Sequence, residues 1–329
     1  MLVCKAGPVV QLNRTSDSGS ESRGFESRRG HKVKRFSHPF MHLLVLFLLS
    51  MLMMVVATVV GVFGGVGEPK DGGSWWPWMA WQALSQVLMF ALPALAVAWM
   101  YYREDQCRWL RLDFSGRRWL LALAGVVTML LLVPLTDWLT TWNDALHLPR
   151  ALAPVEESLR AAGEQSQGML ERLMRETSPW ACLLCVALVP AVCEELFFRA
   201  GIQNLLQRWW SPVRADGTAS AVGMHAAVWV TAALFSLAHF EVFAFLPRLL
   251  LGALLGYLYV GGGSLVVNAM AHFVNNAIVV VAYWMASSQG VAFDPAEPLA
   301  VGWEVTLACL LAAVFLLVVT FGKRLKVSE

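Results

Sequence analysis

Pro190-Ala-Val-Cys-Glu-Glu-Leu-Phe-Phe-Arg-Ala-Gly-Ile-Gln203 places two adjacent carboxylates and a guanidinium, those of Glu194, Glu195 and Arg199, inside a segment hydrophobic enough to span a bilayer. A charged side chain near a bilayer centre costs about 2.5 to 3.5 kcal/mol even on a lenient insertion scale, so such residues mark a functional site with partners. If the stretch is helical, Glu195 and Arg199 share one face, and an ion pair between them lowers the cost of burying both. Glu194 then points about 100 degrees away around the helix and needs a different partner. It is the candidate for chemistry, and Glu195 with Arg199 the candidate structural pair.

The rest of the chain agrees with a membrane setting. Of 329 residues, 57% are hydrophobic and 15% charged, and the mean hydropathy is +0.57, a balance rare in water-soluble proteins of this length. The expected fold is all-α: a polytopic bundle of about eight transmembrane helices around an intramembrane active-site cavity. Runs near the ~20 residues a span requires fall at 41–65, 77–101, 118–140, 179–207, 221–240, 243–260, 264–286 and 300–321. The chain therefore divides into a tail over 1–40, three helices with their connections over 41–178, a core over 179–286, and a last helix with a basic tail over 287–329. The formal charge of +2 forms no nucleic-acid patch, because the charges sit in loops and tails. The six cysteines lack the paired spacing of a secreted disulfide framework, and Cys182 and Cys185 read as small packing residues.

Lys and Arg set the expected orientation. Arg103, Arg108, Arg111, Arg117 and Arg118 crowd one connection, Arg208 and Arg214 another, and Lys323, Arg324 and Lys326 the end. By the positive-inside rule all three face the cytoplasm, with both termini, in the inner or plasma membrane. Trp75, Trp76, Trp78 and Trp81, and Trp99, Tyr101 and Tyr102 opposite, read as interfacial belts. Between the third and fourth spans, Val155 to Glu176 reads either as an amphipathic surface helix or as a solvated connector. Residues 1–40 read as a disordered basic tail. Gly24-Phe25-Glu26-Ser27-Arg28 can be encoded GGG TTC GAA TCC CGT, the self-complementary T-arm of a transfer RNA gene, so a start at or near Met41 is expected.

Two histidines supply partners for Glu194. His239 closes Phe235-Ser-Leu-Ala-His239, which puts the Phe235 ring and the imidazole on one helical face. His272 opens His272-Phe-Val-Asn-Asn276, with His272 and Asn276 sharing a face. Helical rise places Glu194 and His239 roughly 21 Å from cytoplasmic markers and His272 roughly 15 Å, so the three are compatible with one layer. A buried carboxylate can act as general base on water, and imidazole and amide groups can hold that water or stabilise a tetrahedral oxyanion. Glu194, His239 and His272 are also a zinc ligand set with room for a water. His-Glu-x-x-His is absent, so zinc stays conditional.

Glu194-Glu195-Leu-Phe-Phe-Arg199, Phe235-Ser-Leu-Ala-His239 and His272-Phe-Val-Asn-Asn276, in that order, resemble the three-motif signature of the CPBP family of intramembrane proteases, also called the CAAX protease or Abi family. The resemblance covers roughly 179–286. It implies a glutamate-dependent endopeptidase related to the type II CAAX prenyl protease, acting on a membrane-associated peptide or protein. It further implies that Glu194 and His239 activate water while His272 and Asn276 stabilise the oxyanion, with Glu195, Arg199 and Phe235 in support. The alternatives are a proton- or cation-coupled transporter using Glu194, His239 and His272 as a relay, and a catalytically silent scaffold or immunity protein. No internal repeat is visible, which weighs against the transporter.

Overall fold

The helix that carries the two glutamates starts where local chemistry favours a start. Ser178 caps it by accepting from the Ala181 N–H, and Pro179 occupies the first turn, where a missing N–H removes no helical bond. The chain then stays helical from Pro179 to Trp210 (α5). It widens into π-type turns over Leu183–Leu188 and Leu196–Gln203. The first lies just before Pro190, whose ring and lost donor disturb the regular ladder. The second begins at the residue after Glu195, and π-type turns are frequent at functional sites.

The computed structural model describes residues 38–70, 73–213, 219–291 and 299–325. The expected tail over 1–40 lies almost wholly outside them, and so do Arg214 and Lys326. The helices are α1 (Pro39–Phe63), α2 (Trp76–Tyr102), α3 (Arg118–Asp144), α4 (Ala153–Glu176), α5, α6 (Ala221–Leu237), α7 (Phe245–Gly262), α8 (Leu265–Ser288) and α9 (Trp303–Leu325). Among the described residues there is no strand. Among the described residues, seven helices are long and apolar enough to cross a membrane: α1, α2, α3, α5, α7 with its lead-in from Val242, α8 and α9. The protein is an all-α polytopic membrane bundle.

The expected span over 221–240 is the exception. α6 has only 17 residues, roughly 25 Å of helix. It stops at Leu237 because the chain turns at Phe240, whose φ is +55°, a region side-chain-bearing residues rarely adopt. His239 therefore sits in a turn beyond the helix, and the depth argument from helical rise does not carry through to it.

Half of α5's most apolar window is buried inside the bundle, against 11% for α9, so α5 is the central helix and α9 the peripheral one. One core joins Leu46 of α1, Val97 of α2, Phe197 and Ile202 of α5 and Phe235 of α6. A second joins Met129, Leu258, Val267 and Phe321 across α3, α7, α8 and α9. The 153–176 connector is a helix. Its far end buries Leu173 and Met174 against Trp75, Met79, Ala181 and Val280. Its near end is held by Arg160, which bonds Glu156 at 3.0 Å and Asp144 at 2.9 Å.

The aromatic belts are only partly as expected. Trp76 and Trp99 are exposed, but Trp75 and Tyr102 are buried. Trp75 donates its indole N–H to Glu176 at 2.8 Å. The Tyr102 hydroxyl shares a hydrogen bond with Nδ1 of His42 at 2.8 Å, and its ring stacks on Trp109 with centroids 5.0 Å apart. A polar handle with an internal partner draws an aromatic inward, away from the headgroup layer.

Candidate active site

Glu195 is wholly buried and takes three partners. Nδ1 of His272 lies 2.9 Å from its Oε1. The Asn268 amide donates to its Oε2, and Nε of Arg199 is 3.5 Å from the same oxygen. The Glu195–Arg199 ion pair expected from spacing is present, and Glu195 additionally grips the imidazole. Because a carboxylate only accepts, the Nδ1 of His272 is the donor and Nε2 is left for other work.

That Nε2 faces Glu194, 3.8 Å from Oε2. The separation is too long for a hydrogen bond. Glu194 is 7% exposed, and Oε2 is buried without a protein hydrogen-bond partner. Glu194 thus has a free carboxylate oxygen aimed at an imidazole nitrogen whose ring is fixed from behind. α5 presents both glutamates and α8 presents Asn268 and His272, one turn apart on one face.

Phe235 ties the histidines together. Its ring centroid is 4.9 Å from that of His239 and 5.6 Å from that of His272, both edge-on. Arg199 lies over the same ring at 5.0 Å, and Phe198 packs at 5.2 Å. The Nδ1 of His239 is 2.8 Å from the Phe235 carbonyl and must donate to it, which leaves Nε2 as the acceptor of the neutral ring. Asn276 lies one turn past His272, its Oδ1 accepting from Asn275 at 3.3 Å. The structure therefore brings Glu194, Glu195, Arg199, Phe235, His239 and His272 into one contiguous cluster.

Backbone contacts fix the helices that carry these groups. Arg199 donates from Nη2 to the Gly252 carbonyl at 3.0 Å, and Gln203 from Nε2 to the Gly256 carbonyl at 3.0 Å. At Gly252 an added Cβ would stand 3.1 Å from the Ala232 Cα and 3.2 Å from the Phe235 ring, so this glycine permits the close approach of α6 and α7. Asn143 of α3 holds the turn after His239, donating to the Val242 carbonyl at 3.3 Å and accepting from the Leu246 N–H at 2.8 Å. Arg160 lies 3.8 Å over the Phe243 ring in that turn, and Arg248 pairs with Glu241. A cavity of about 200 Å³ opens between α2, α4 and α5, with Gln82, Gln86, Leu173 and Pro190 among its walls. Pro190 is one turn before Glu194.

Residues 176–278 match the family described as type II CAAX prenyl endopeptidase Rce1-like. The matched residues lie on helices α5 to α8, and the likeness to a CAAX protease is carried by those helices. The match spans less than half of the chain and takes in all three motifs. No curated protein and no solved structure matches the chain.

Within the matched region, Asn268 is the site residue that sequence reading missed. Its spacing of one turn before His272, on the Asn276 face, was the available signal. Zinc is not supported by the arrangement. Among the described residues no group of three or more His, Cys, Asp or Glu side chains is placed to hold a metal ion. The conditional ligands Glu194, His239 and His272 are not drawn into one such group. No step below is routed through a metal.

Proposed function

We propose that this protein is an intramembrane endopeptidase that hydrolyses a peptide bond of a membrane-associated or lipid-modified protein or peptide by glutamate-activated water. The observation that carries the proposal is the free Oε2 of Glu194 opposite the Nε2 of a histidine held by Glu195. Glu194 takes a proton from water, and the hydroxide oxygen adds to the scissile carbonyl carbon. The Nε2 of His239 helps hold that water. His272, when it carries a proton on Nε2, and the amide of Asn276 donate to the oxyanion as the carbonyl oxygen gains charge. Collapse breaks the C–N bond, and Glu194 returns its proton to the leaving amine. Glu195, Asn268 and Arg199 position and do not react, while Phe235 is the shared wall.

By the distribution of Lys and Arg, the ends of α2 and α5 that carry Arg103, Arg108, Arg111 and Arg208 face the cytoplasm in a cell membrane, and with the 17-residue α6 as a short eighth crossing both termini lie on that side. The test compares peptide termini in membranes containing the native chain with those containing the Glu194→Gln form at matched insertion. Site-specific cleavages are expected only with the native chain. Processing that survives Glu194→Gln removes Glu194 as the base, and loss of ion flux without any change in peptide termini replaces the protease with a transporter.

A further inference from the structure

Two facing stripes of polar side chains run from the Glu195–His272 pair toward the end of the bundle that carries Arg111 and Arg208. On α5 they recur at Arg199, Gln203 and Gln207. On the facing side are Asn268 of α8 and Ser264 at its cap, each pair one turn apart. Tyr259 of α7 joins the line. It stands one turn beyond Gly256, which accepts from Gln203, and its own carbonyl accepts from Arg111 at 3.2 Å. The Arg111 carbonyl in turn accepts at 2.9 Å from Leu265, next to Ser264. From Glu195 to Gln207 the line is roughly 18 Å long at 1.5 Å per residue.

Every member of the line has a polar atom that is buried and lacks a protein hydrogen-bond partner. These atoms are Nη1 of Arg199, Oε1 of Gln203, Nε2 of Gln207, the Tyr259 hydroxyl, the Ser264 hydroxyl and Oδ1 of Asn268. Arg199, Gln203, Tyr259, Ser264 and Asn268 are each 0% exposed. Folded proteins leave very few buried polar groups unpaired, and those without a protein partner are served by ordered water. A single orphan would be unremarkable; a series of them at helical-turn spacing, beginning beside a carboxylate–imidazole pair, is not expected of a dry interface.

We propose that these side chains hold a file of buried water molecules between the Glu194, Glu195 and His272 site and the Arg111–Arg208 end. The file is a route by which water and protons reach carboxylates surrounded by apolar helices. Its role as supply rests on the hydrolytic reading above; the presence of water does not.

The test is radiolytic hydroxyl labelling of the full chain in lipid nanodiscs, because radicals formed from bound water modify the side chains beside it. Phe321 and Met129, 1% and 2% exposed in the apolar core, serve as equally buried controls. Tyr259 is expected to be modified several-fold faster than either, although Met is the more reactive side chain. Modification of Tyr259 no faster than the controls overturns the file. Gln203→Met, similar in volume without the polar atoms, is expected to slow Tyr259 labelling, and unchanged labelling overturns continuity through Gln203. Tyr259→Phe is expected to lower kcat with KM unchanged; an unchanged kcat removes the supply role while the labelling result stands. Labelled Tyr259 in a chain that cleaves no peptide would retain the file and reject the hydrolase.

Discussion

The imidazole of His272 is bonded through Nδ1 to Glu195, the glutamate that spacing pairs with Arg199, while the neighbouring Glu194 faces Nε2 without a bond. One glutamate therefore builds the site and the other is free to react. The two should part company on substitution. Glu195→Gln strips the charge from a group serving Arg199, Asn268 and His272, and breaking a buried pair from one side costs about 3 to 5 kcal/mol. A lower Tm and lower kcat are expected together. Glu194→Gln should abolish cleavage with Tm unchanged or raised, since a buried carboxylate oxygen without a partner is itself unfavourable. Thermal unfolding in detergent beside a cleavage assay checks both, and equal loss of Tm in the two variants would contradict the division of labour.

Gly252 and Gly125 separate close approach from ordinary packing. At Gly252 the new methyl meets the Ala232 backbone at 3.1 Å and the Phe235 ring at 3.2 Å. Gly252→Ala is expected to cost about 1 to 3 kcal/mol and to reduce cleavage by displacing Phe235. At Gly125, within α3, the nearest atoms are at 3.5 Å, an ordinary contact. Gly125→Ala is expected to stabilise by about 0.5 to 1 kcal/mol through helix propensity. Chemical denaturation of both variants gives the comparison, and similar effects at the two sites would count against the packing argument.

Phe240 holds a left-handed backbone with its side chain 82% exposed. A side chain in that region costs about 1 to 2 kcal/mol, and little packing is lost by removing it. Phe240→Gly is therefore expected to stabilise the turn after His239, and Phe240→Val, β-branched, to destabilise it. Hydrogen exchange over 238–246 should slow in the first and quicken in the second.

Outside the membrane, Glu156 is held down to about 2 by its bond to His147, then by the Leu148 N–H and by Arg160. Its folded value lies below the ordinary 4.5. The stabilisation it gives the 145–160 segment is thus complete above that value and is lost as pH falls toward about 2. Native and Glu156→Gln chains should differ in hydrogen exchange of this segment at neutral pH and converge at the acid end of that window. A difference that persists unchanged to the lowest pH would exclude Glu156 as its source.

Helix existence was legible because apolar length and charge placement are local properties. Seven of the eight expected spans are helices long and apolar enough to cross, and α5 starts at the expected residue 179. What escaped depends on register between distant helices. The Glu195–His272 bond joins residues 77 apart, and no spacing within α5 or α8 announces it. Asn268 carried a signal in its spacing from His272, but the carboxylate its amide serves is on the other helix. The early stop of α6 was missed because Phe240 adopts a conformation for which glycine or asparagine would have been the signal. Trp75 and Tyr102 turned inward because each found an internal partner, Glu176 and His42, that composition does not reveal.

Arg199 reaches Gly252 and Gln203 reaches Gly256 across an identical separation of 53 residues. The two helices consequently mesh like a pair of toothed racks whose pitch is one helical turn. A displacement by part of a tooth breaks both bonds, and a slip of a whole tooth, about 5.4 Å, carries both carboxylates away from the wall that faces them. Such an arrangement has no partial settings: the machine is in gear or out of it.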